Sequence, residues 1–170
     1  MGDRMNEWVI VAFGSNLGDS RVIILDAMDR LESLGHDEFL RSSLWRTSPV
    51  DCPPQSPDFV NAVVAFRPKG ELSPPDLLAH LQSLEREFGR RPKEILNEPR
   101  PLDLDIIAFR NEVRSDAELT IPHPRSHLRR FVLAPLAELL PDYVAEGWTA
   151  NVRSLLDRLE DGEEIDKICD

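Results

Sequence analysis

Two aspartates one residue apart, Asp103 and Asp105, stand inside the run Arg100-Pro101-Leu102-Asp103-Leu104-Asp105-Ile106-Ile107-Ala108-Phe109, which reads as a strand. Side chains of a strand alternate between faces, so both carboxylates point the same way, roughly 6 to 7 Å apart. Ile107 and Phe109 continue their face, while Leu102, Leu104, Ile106 and Ala108 make the other, the pattern of a largely buried strand. Unpaired like charges are costly in such a place, and a divalent cation at the strand mouth relieves them. The obvious ligands are hard oxygens, which favours Mg²⁺ with a shell completed by water and phosphate. The pattern alone also admits a pair salt-bridged to Arg100 or another arginine, or one on a solvated strand end.

The cations of the chain support a phosphate ligand. Arg90, Arg91, Lys93 and Arg100 form one basic cluster, and Arg125, Arg129 and Arg130 form another. They stand out against a net charge of −11, and guanidinium groups hold phosphate oxygens bidentately. That same acidic balance argues against general binding to nucleic acid or anionic membranes. No apolar run approaches the roughly 20 residues that span a bilayer, and residues 1–7 hold no apolar signal core, so a soluble cytoplasmic protein is expected. Cys52 and Cys169 lack metal or redox spacing and read as reduced thiols. The length suits a single domain over residues 1–170. From Leu155 onward seven acids face only Arg158 and Lys167, which reads as a solvated helix end or frayed terminus.

The elements that must position these groups follow from periodicity and punctuation. Trp8 to Phe13 reads as a first strand in the middle of a sheet. A helix follows, capped by Asp19 or Ser20, with Ile24, Met28, Leu31 and Leu34 at helical spacing and Gly35 closing it. Phe39 to Trp45 reads as a second strand and Phe59 to Phe66 as a third. Between them the prolines at 49, 53, 54 and 57 make a long loop. Ser73-Pro74 starts a second helix carrying Leu77, Leu81, Leu84 and Phe88 on one face and ended by Gly89. A second loop, Arg90 to Pro101, leads into the acidic fourth strand, with Val113 to Leu119 as its candidate hairpin partner. Helices are expected over Ser126 to Leu140 and Ala150 to Leu159. The order βαββαβ is that of a ferredoxin-like α+β fold: an antiparallel sheet with both helices on one face, plus C-terminal helical additions. The first and fourth strands are expected at its centre, with the two long loops as lids.

Six segments then occur in a telling order: Phe13-Gly14-Ser15-Asn16-Leu17-Gly18-Asp19, Asp58-Phe59-Val60-Asn61-Ala62, Gly89-Arg90, Pro99-Arg100-Pro101-Leu102-Asp103-Leu104-Asp105-Ile106, Ile121-Pro122-His123-Pro124 and Arg129-Arg130-Phe131. From about Val9 to Leu140 the chain resembles the 6-hydroxymethyl-7,8-dihydropterin pyrophosphokinase family. The resemblance implies a monomeric ferredoxin-like enzyme of folate biosynthesis that moves the terminal pyrophosphoryl group of ATP onto the hydroxymethyl oxygen of the pterin, releasing AMP, with two Mg²⁺ ions. It implies Asp103 and Asp105 as magnesium ligands and Arg90 and Arg100 as the triphosphate clamp. Thr120, His123 and Arg129 are implied as further phosphate contacts, with Gln82, Glu85 and Ile106 on the nucleotide side. For the pterin it implies a sandwich between Phe59 and Phe131, Asn61 at the ring edge, and Thr47 with the backbone near Gly14, Ser48 and Val50. A flat heteroaromatic needs such stacking and matched donors and acceptors; without the resemblance both phenylalanines read as core.

The chain departs from that family's pattern at Asn97-Glu98, where Trp-Gly is usual, at Pro92, and at Glu118, where a phosphate-side arginine is common. A lid that closes differently and a weaker hold on ATP are expected from them. Two rival functions fit the same topology: a two-metal nucleotidyltransferase or cyclase, and a non-catalytic ferredoxin-like module that binds a small molecule.

Overall fold

A computed structural model of the chain describes residues 7–33, 36–48, 53–68, 70–89, 98–159 and 165–168. Strand β1 (Val9–Ser15) lies between β4 (Phe59–Pro68) and β5 (Asp103–Phe109), antiparallel to both. The far edge of β4 carries β2 (His36–Arg41) and β3 (Trp45–Thr47), and β3 in turn pairs with β8 (Ile165–Lys167). The sheet order is therefore β5-β1-β4-β3-β8, with β2 also on β4.

Helices α1 (Ser20–Glu32) and α2 (Pro74–Glu87) cover one face. Their Ile24, Ala27, Met28, Leu31, Leu77 and Leu81 close a first core with Val11, Phe13, Val64 and Leu104. Helices α3 (Arg130–Leu139) and α4 (Val152–Arg158) cover the opposite face, around Ile10, Ala12, Val63 and Ile107. A sheet buried on both faces explains why β1 and β4 read as nearly continuous apolar runs. Asp19 caps α1 and Ser73 caps α2, each side-chain oxygen accepting a backbone N–H of the first turn, as expected of those residue types.

Several expectations change. The aspartate strand β5 is not central: both edges of β1 are taken, by β4 and β5, which leaves β5 at the end of the sheet. Its outer edge is served instead by the Glu85 carboxylate, which accepts the Leu104 N–H at 2.9 Å, and by the His123 N–H, which donates to the Ile107 carbonyl at 2.9 Å. Strict alternation along β5 also fails. Ile10 pairs with Ala108 but Val11 pairs with Ile106, so Ile107 is a bulge residue, and Phe109 joins the first core rather than the aspartate face.

The expected single strand Phe39 to Trp45 is two strands, because the Ser42 hydroxyl takes the Val63 N–H at 2.9 Å where a backbone carbonyl would continue the ladder. Residues 114–115 form β6 (Arg114–Ser115), which pairs with β7 (Thr120–Ile121) rather than with β5; Asp116 closes that hairpin by accepting the N–H groups of Glu118 and Leu119. Helix α1 stops at Ser33, whose hydroxyl donates to the Arg30 carbonyl, and Gly35 lies outside the described residues. The C-terminal segment is not wholly frayed, since Ile165, Asp166 and Lys167 pair with Thr47, Arg46 and Trp45. The expected helix from Ser126 divides into a 3₁₀ turn (Ser126–Leu128) and α3, and no described helix is long and apolar enough to cross a membrane.

Candidate active site

The register of three strands builds the floor of the site. Gly14 on β1 faces Asn61 on β4 and Asp103 on β5, and one step along, Ala12 faces Val63 and Asp105. Directly opposed residues of antiparallel strands share a face. Asn61, Gly14 and Asp103 therefore form a row on the side of the sheet that α3 covers, with Asp105 one pleat further in. Gly14 matters because it has no side chain: a Cβ there would lie 3.4 Å from Asn61 Oδ1 and 3.8 Å from Phe59 Cδ1. Its absence leaves a shallow cradle between an amide, an aromatic ring and a carboxylate.

Asn61 and Thr47 are both buried, and Asn61 Nδ2 donates to Thr47 Oγ1 at 2.7 Å. That bond orients the amide and turns its oxygen toward Gly14. Phe59, opposite Thr47 on β3, is half-buried, and the Arg100 guanidinium lies over its ring at 5.9 Å. Arg100 Nη1 also stands 3.7 Å from Asp103 Oδ2. The same arginine thus reaches both the aromatic wall and Asp103 of the carboxylate pair. Its Nε is buried without a hydrogen-bond partner among the described residues, an orphaned donor of the sort an anionic ligand satisfies.

On the other side of β5, His123 follows β7. Its Nδ1 accepts the Arg125 N–H at 3.2 Å, which leaves Nε2 as the protonated nitrogen of the neutral ring. Burial, then the charges of Arg129 and Arg125, push the His123 pKa below the ordinary imidazole range, with Asp103 pulling partly the other way. A neutral imidazole donating from Nε2 suits a phosphate oxygen. Arg129 stands at the N-terminal boundary of α3, and its guanidinium lies 5.5 Å over the Phe131 ring, which is half-buried against the second core. Arg130 Nη2 donates to the Leu159 carbonyl and ties α3 to the end of α4.

The sequence-derived residues thus sit around Asp103 and Asp105 as follows: Gly14, Thr47, Phe59 and Asn61 on the β1, β3 and β4 side, Arg100 between Phe59 and Asp103, and His123 beyond β5, with Phe131 under Arg129 at the start of α3. Ser48 follows Thr47 at the exposed end of β3, and Thr120 is exposed on β7. Gln82 is exposed on α2, while Glu85 on the same helix spends one oxygen on Leu104. The Ile106 side chain belongs to the first core, so only its backbone is available to a nucleotide. Arg90 and Val50 lie outside the described residues.

One residue of this site escapes sequence reasoning. Asn16 is buried, its Oδ1 accepts the Arg100 N–H at 2.9 Å, its N–H donates to the Arg100 carbonyl at 3.1 Å, and its Nδ2 reaches the Pro57 carbonyl at 3.4 Å. It fastens both long loops to the end of β1. A polar residue in a Gly-Ser-Asn-Leu-Gly turn was the available signal, but the turn itself explains such a residue without a partner elsewhere.

Among the described residues no group of three or more His, Cys, Asp or Glu could by itself hold a metal. Two carboxylates with the remaining positions left to water and phosphate are nevertheless the habit of Mg²⁺, and the donors present are all oxygen.

Comparison with known proteins adds a second line of observation. The profile of one family, 7,8-dihydro-6-hydroxymethylpterin-pyrophosphokinase, matches residues 10–141. The chain is 42% identical over 135 residues to the 2-amino-4-hydroxy-6-hydroxymethyldihydropteridine pyrophosphokinase of Synechocystis sp., covering 79% of this chain and 67% of that protein. It is 37% identical over 147 residues to the enzyme of the same name from Bacillus subtilis, covering 86% of each. A third relative, the folic acid synthesis protein fol1 of Pneumocystis carinii, is 36% identical over 92% of this chain, which spans only 20% of that longer protein. Among solved structures, the Plasmodium falciparum HPPK-DHPS wild type superposes with a TM-score of 0.67 at 14% identity, covering 89% of this chain and 40% of that one. That likeness concerns the fold.

Proposed function

The chain belongs to the 7,8-dihydro-6-hydroxymethylpterin-pyrophosphokinase family, and on that footing we propose that the pocket around Asp103 and Asp105 transfers pyrophosphate from ATP to the hydroxymethyl group of 6-hydroxymethyl-7,8-dihydropterin, a step of folate synthesis that releases AMP. In this reading the pterin lies on Gly14 between Phe59 and Phe131. Asn61, oriented by Thr47, meets its amide-like edge. The pterin hydroxymethyl group then points along the floor row toward Asp103 and Asp105, and the triphosphate lies beyond them under Arg100, His123 and Arg129. Arg90, Ser48, Val50, Thr120, Gln82, Glu85 and the Ile106 backbone complete the two subsites as the family resemblance implies.

Asp103 and Asp105 are the residues that would hold Mg²⁺. With two Mg²⁺ ions held there beside the nucleotide, the metal would supply neutralisation of the phosphate oxygens and polarisation of the phosphorus under attack. The chain itself contributes position and charge. Arg100, fixed over Phe59 and beside Asp103, fixes the phosphate chain relative to the pterin ring. His123 donates a neutral hydrogen bond, and Arg129 adds positive charge where negative charge grows on the leaving AMP. The hydroxymethyl oxygen forms its bond to the β-phosphorus as the bond from that phosphorus to the α-phosphate oxygen breaks, and the hydroxyl proton leaves toward Asp105. The family resemblance further implies a monomer.

The single observation that carries this reading is the row Asn61, Gly14, Asp103, which sets a flat-ring cradle directly beside a carboxylate pair. Incubation with ATP, Mg²⁺ and the reduced hydroxymethylpterin tests it by nucleotide analysis. AMP in equal amount to pterin diphosphate is expected; ADP or free pyrophosphate in place of AMP overturns it.

A further inference from the structure

Glu138, near the C-terminal end of α3, gathers donors from three separate elements. Its Oε1 accepts the Ser43 N–H at 3.1 Å and the Trp45 Nε1–H at 2.8 Å. Its Oε2 accepts the Ser43 hydroxyl at 2.8 Å, and the Lys167 ammonium of β8 lies 3.4 Å from it. Lys167 also sits 5.4 Å over the Trp45 ring and pairs with Trp45 in the sheet. Burial opposes the charged form of Glu138, but the bonds from Trp45 and Ser43 and the Lys167 charge outweigh it and hold the carboxyl below its usual range. A full charge is therefore aimed at β3.

The position of this joint connects it with the pterin pocket. Phe131 is seven residues before Glu138 on α3, two helical turns, so both side chains lie on one face about 10 Å apart along the axis. On β3, Trp45 and Thr47 share a face, opposite Asn61 and Phe59 respectively. One end of the contact between α3 and β3 is thus the Glu138 cluster. Phe131 stands at the opposite, N-terminal end of the same helix, while Thr47 and its partner Phe59, with Asn61, belong to the strands that the joint grips.

We propose that Glu138 is a positioning residue that sets the width of the pterin slot by locking α3 against β3 and β8. The inference rests on the pterin assignment above and deepens it: a joint at the end of α3 opposite Arg129 governs the pterin more than the nucleotide. Arg100 and His123, by contrast, are held by Asn16 and by the outer edge of β5, which the Glu138 cluster does not touch, and of the triphosphate-side groups named above Arg129 alone belongs to α3.

Fluorescence titration of the full chain with 6-hydroxymethyl-7,8-dihydropterin, and separately with the β,γ-methylene analogue of ATP, tests this. Glu138→Ala is expected to weaken pterin binding about tenfold, with ATP-analogue binding changed much less. Glu138→Gln, which keeps an oxygen to accept from Ser43 and Trp45, is expected to restore most of it. If the unmodified chain fails to bind the pterin, the pocket assignment itself falls. If that chain binds and Glu138→Ala binds pterin equally well, or loses both ligands alike, the positioning role is overturned. Should Glu138→Ala not fold by circular dichroism, Trp45→Phe and Ser43→Ala decide: each removes one donor and is expected to weaken pterin binding selectively, and unchanged pterin binding in both overturns the proposal.

Discussion

Replacing Gly14 with alanine isolates the cradle from everything else in the molecule. The Gly14 φ lies outside the left-handed region, so the backbone accepts a side chain, and loss of glycine's freedom in the unfolded chain favours the variant by about 0.4–1 kcal/mol. The new methyl stands 3.4 Å from Asn61 Oδ1 and 3.8 Å from Phe59 Cδ1, at the near limit of van der Waals contact, so the apo protein holds it with at most a small shift of the amide. A ring lying on Gly14 has no such freedom. It must rise off the floor, and the bonds it makes with the Asn61 edge lengthen. Losing two hydrogen bonds at about 0.5–1.5 kcal/mol each costs roughly 1–3 kcal/mol, or about 5- to 140-fold in affinity. Thermal melting within about 3 °C of the unmodified chain, with pterin affinity reduced by that factor and ATP-analogue affinity preserved, is the expected result. Full pterin affinity in a folded Gly14→Ala variant refutes the placement of the ring on β1.

Other perturbations read other parts of the site. Asp105→Asn keeps the shape of the side chain but not its charge, and AMP formation should fall by at least 10²–10³, on the order of what a single lost electrostatic contact costs; pterin binding without nucleotide should persist, and activity within about tenfold of the unmodified chain, the factor of a 1.4 kcal/mol change, removes the residue from the reaction. Chelation with EDTA should stop turnover and added Mg²⁺ restore it, checked by AMP chromatography. Asn16→Ala leaves the Arg100 N–H without its acceptor and should lower stability by about 1–3 kcal/mol, seen as a lower urea midpoint, while raising KM for both substrates because both loops are fastened there. The Glu138 carboxyl has a lowered folded-state pKa, so its contribution to stability is fully present above the unfolded value of about 4.3 and is lost as pH falls through the folded value. The stability difference between the unmodified chain and Glu138→Gln should therefore hold steady from neutral pH to about 5 and shrink in stronger acid.

What was legible in the sequence was mostly local. The shared face of Asp103 and Asp105, the caps Asp19 and Ser73, and the proline-rich loop all depend on residues within a few positions of one another, and alternation or cap chemistry reveals them. The departures come from pairings between distant segments. Strand β5 sits at the sheet edge because β1 has two partners already, which no property of residues 103–109 encodes. The bulge at Ile107 reverses the last two side chains of a run whose composition stays apolar throughout. Ser42 breaks a strand by bonding to Val63, and β8 forms from a charged tail because β3 offers it an open edge. In the site, Phe59 and Phe131 were identifiable only through family resemblance, since aromatic residues alone suit a core, and Asn61 gained its role only beside them. Asn16 and Glu138 stayed hidden because their partners lie 84 and 95 residues away.

The central claim is that the carboxylate pair stands where the pterin hydroxymethyl group meets the phosphate chain. Replacing Mg²⁺ with Mn²⁺ in a complex with the pterin and a non-reacting ATP analogue lets nuclear relaxation report the distance from metal to each pterin proton. The account predicts strong enhancement at the hydroxymethyl protons, weaker enhancement further round the ring, and loss of both in Asp103→Ala and Asp105→Ala variants that still bind the pterin. Enhancement that is uniform over the ring, or that survives removal of both carboxylates, would contradict it.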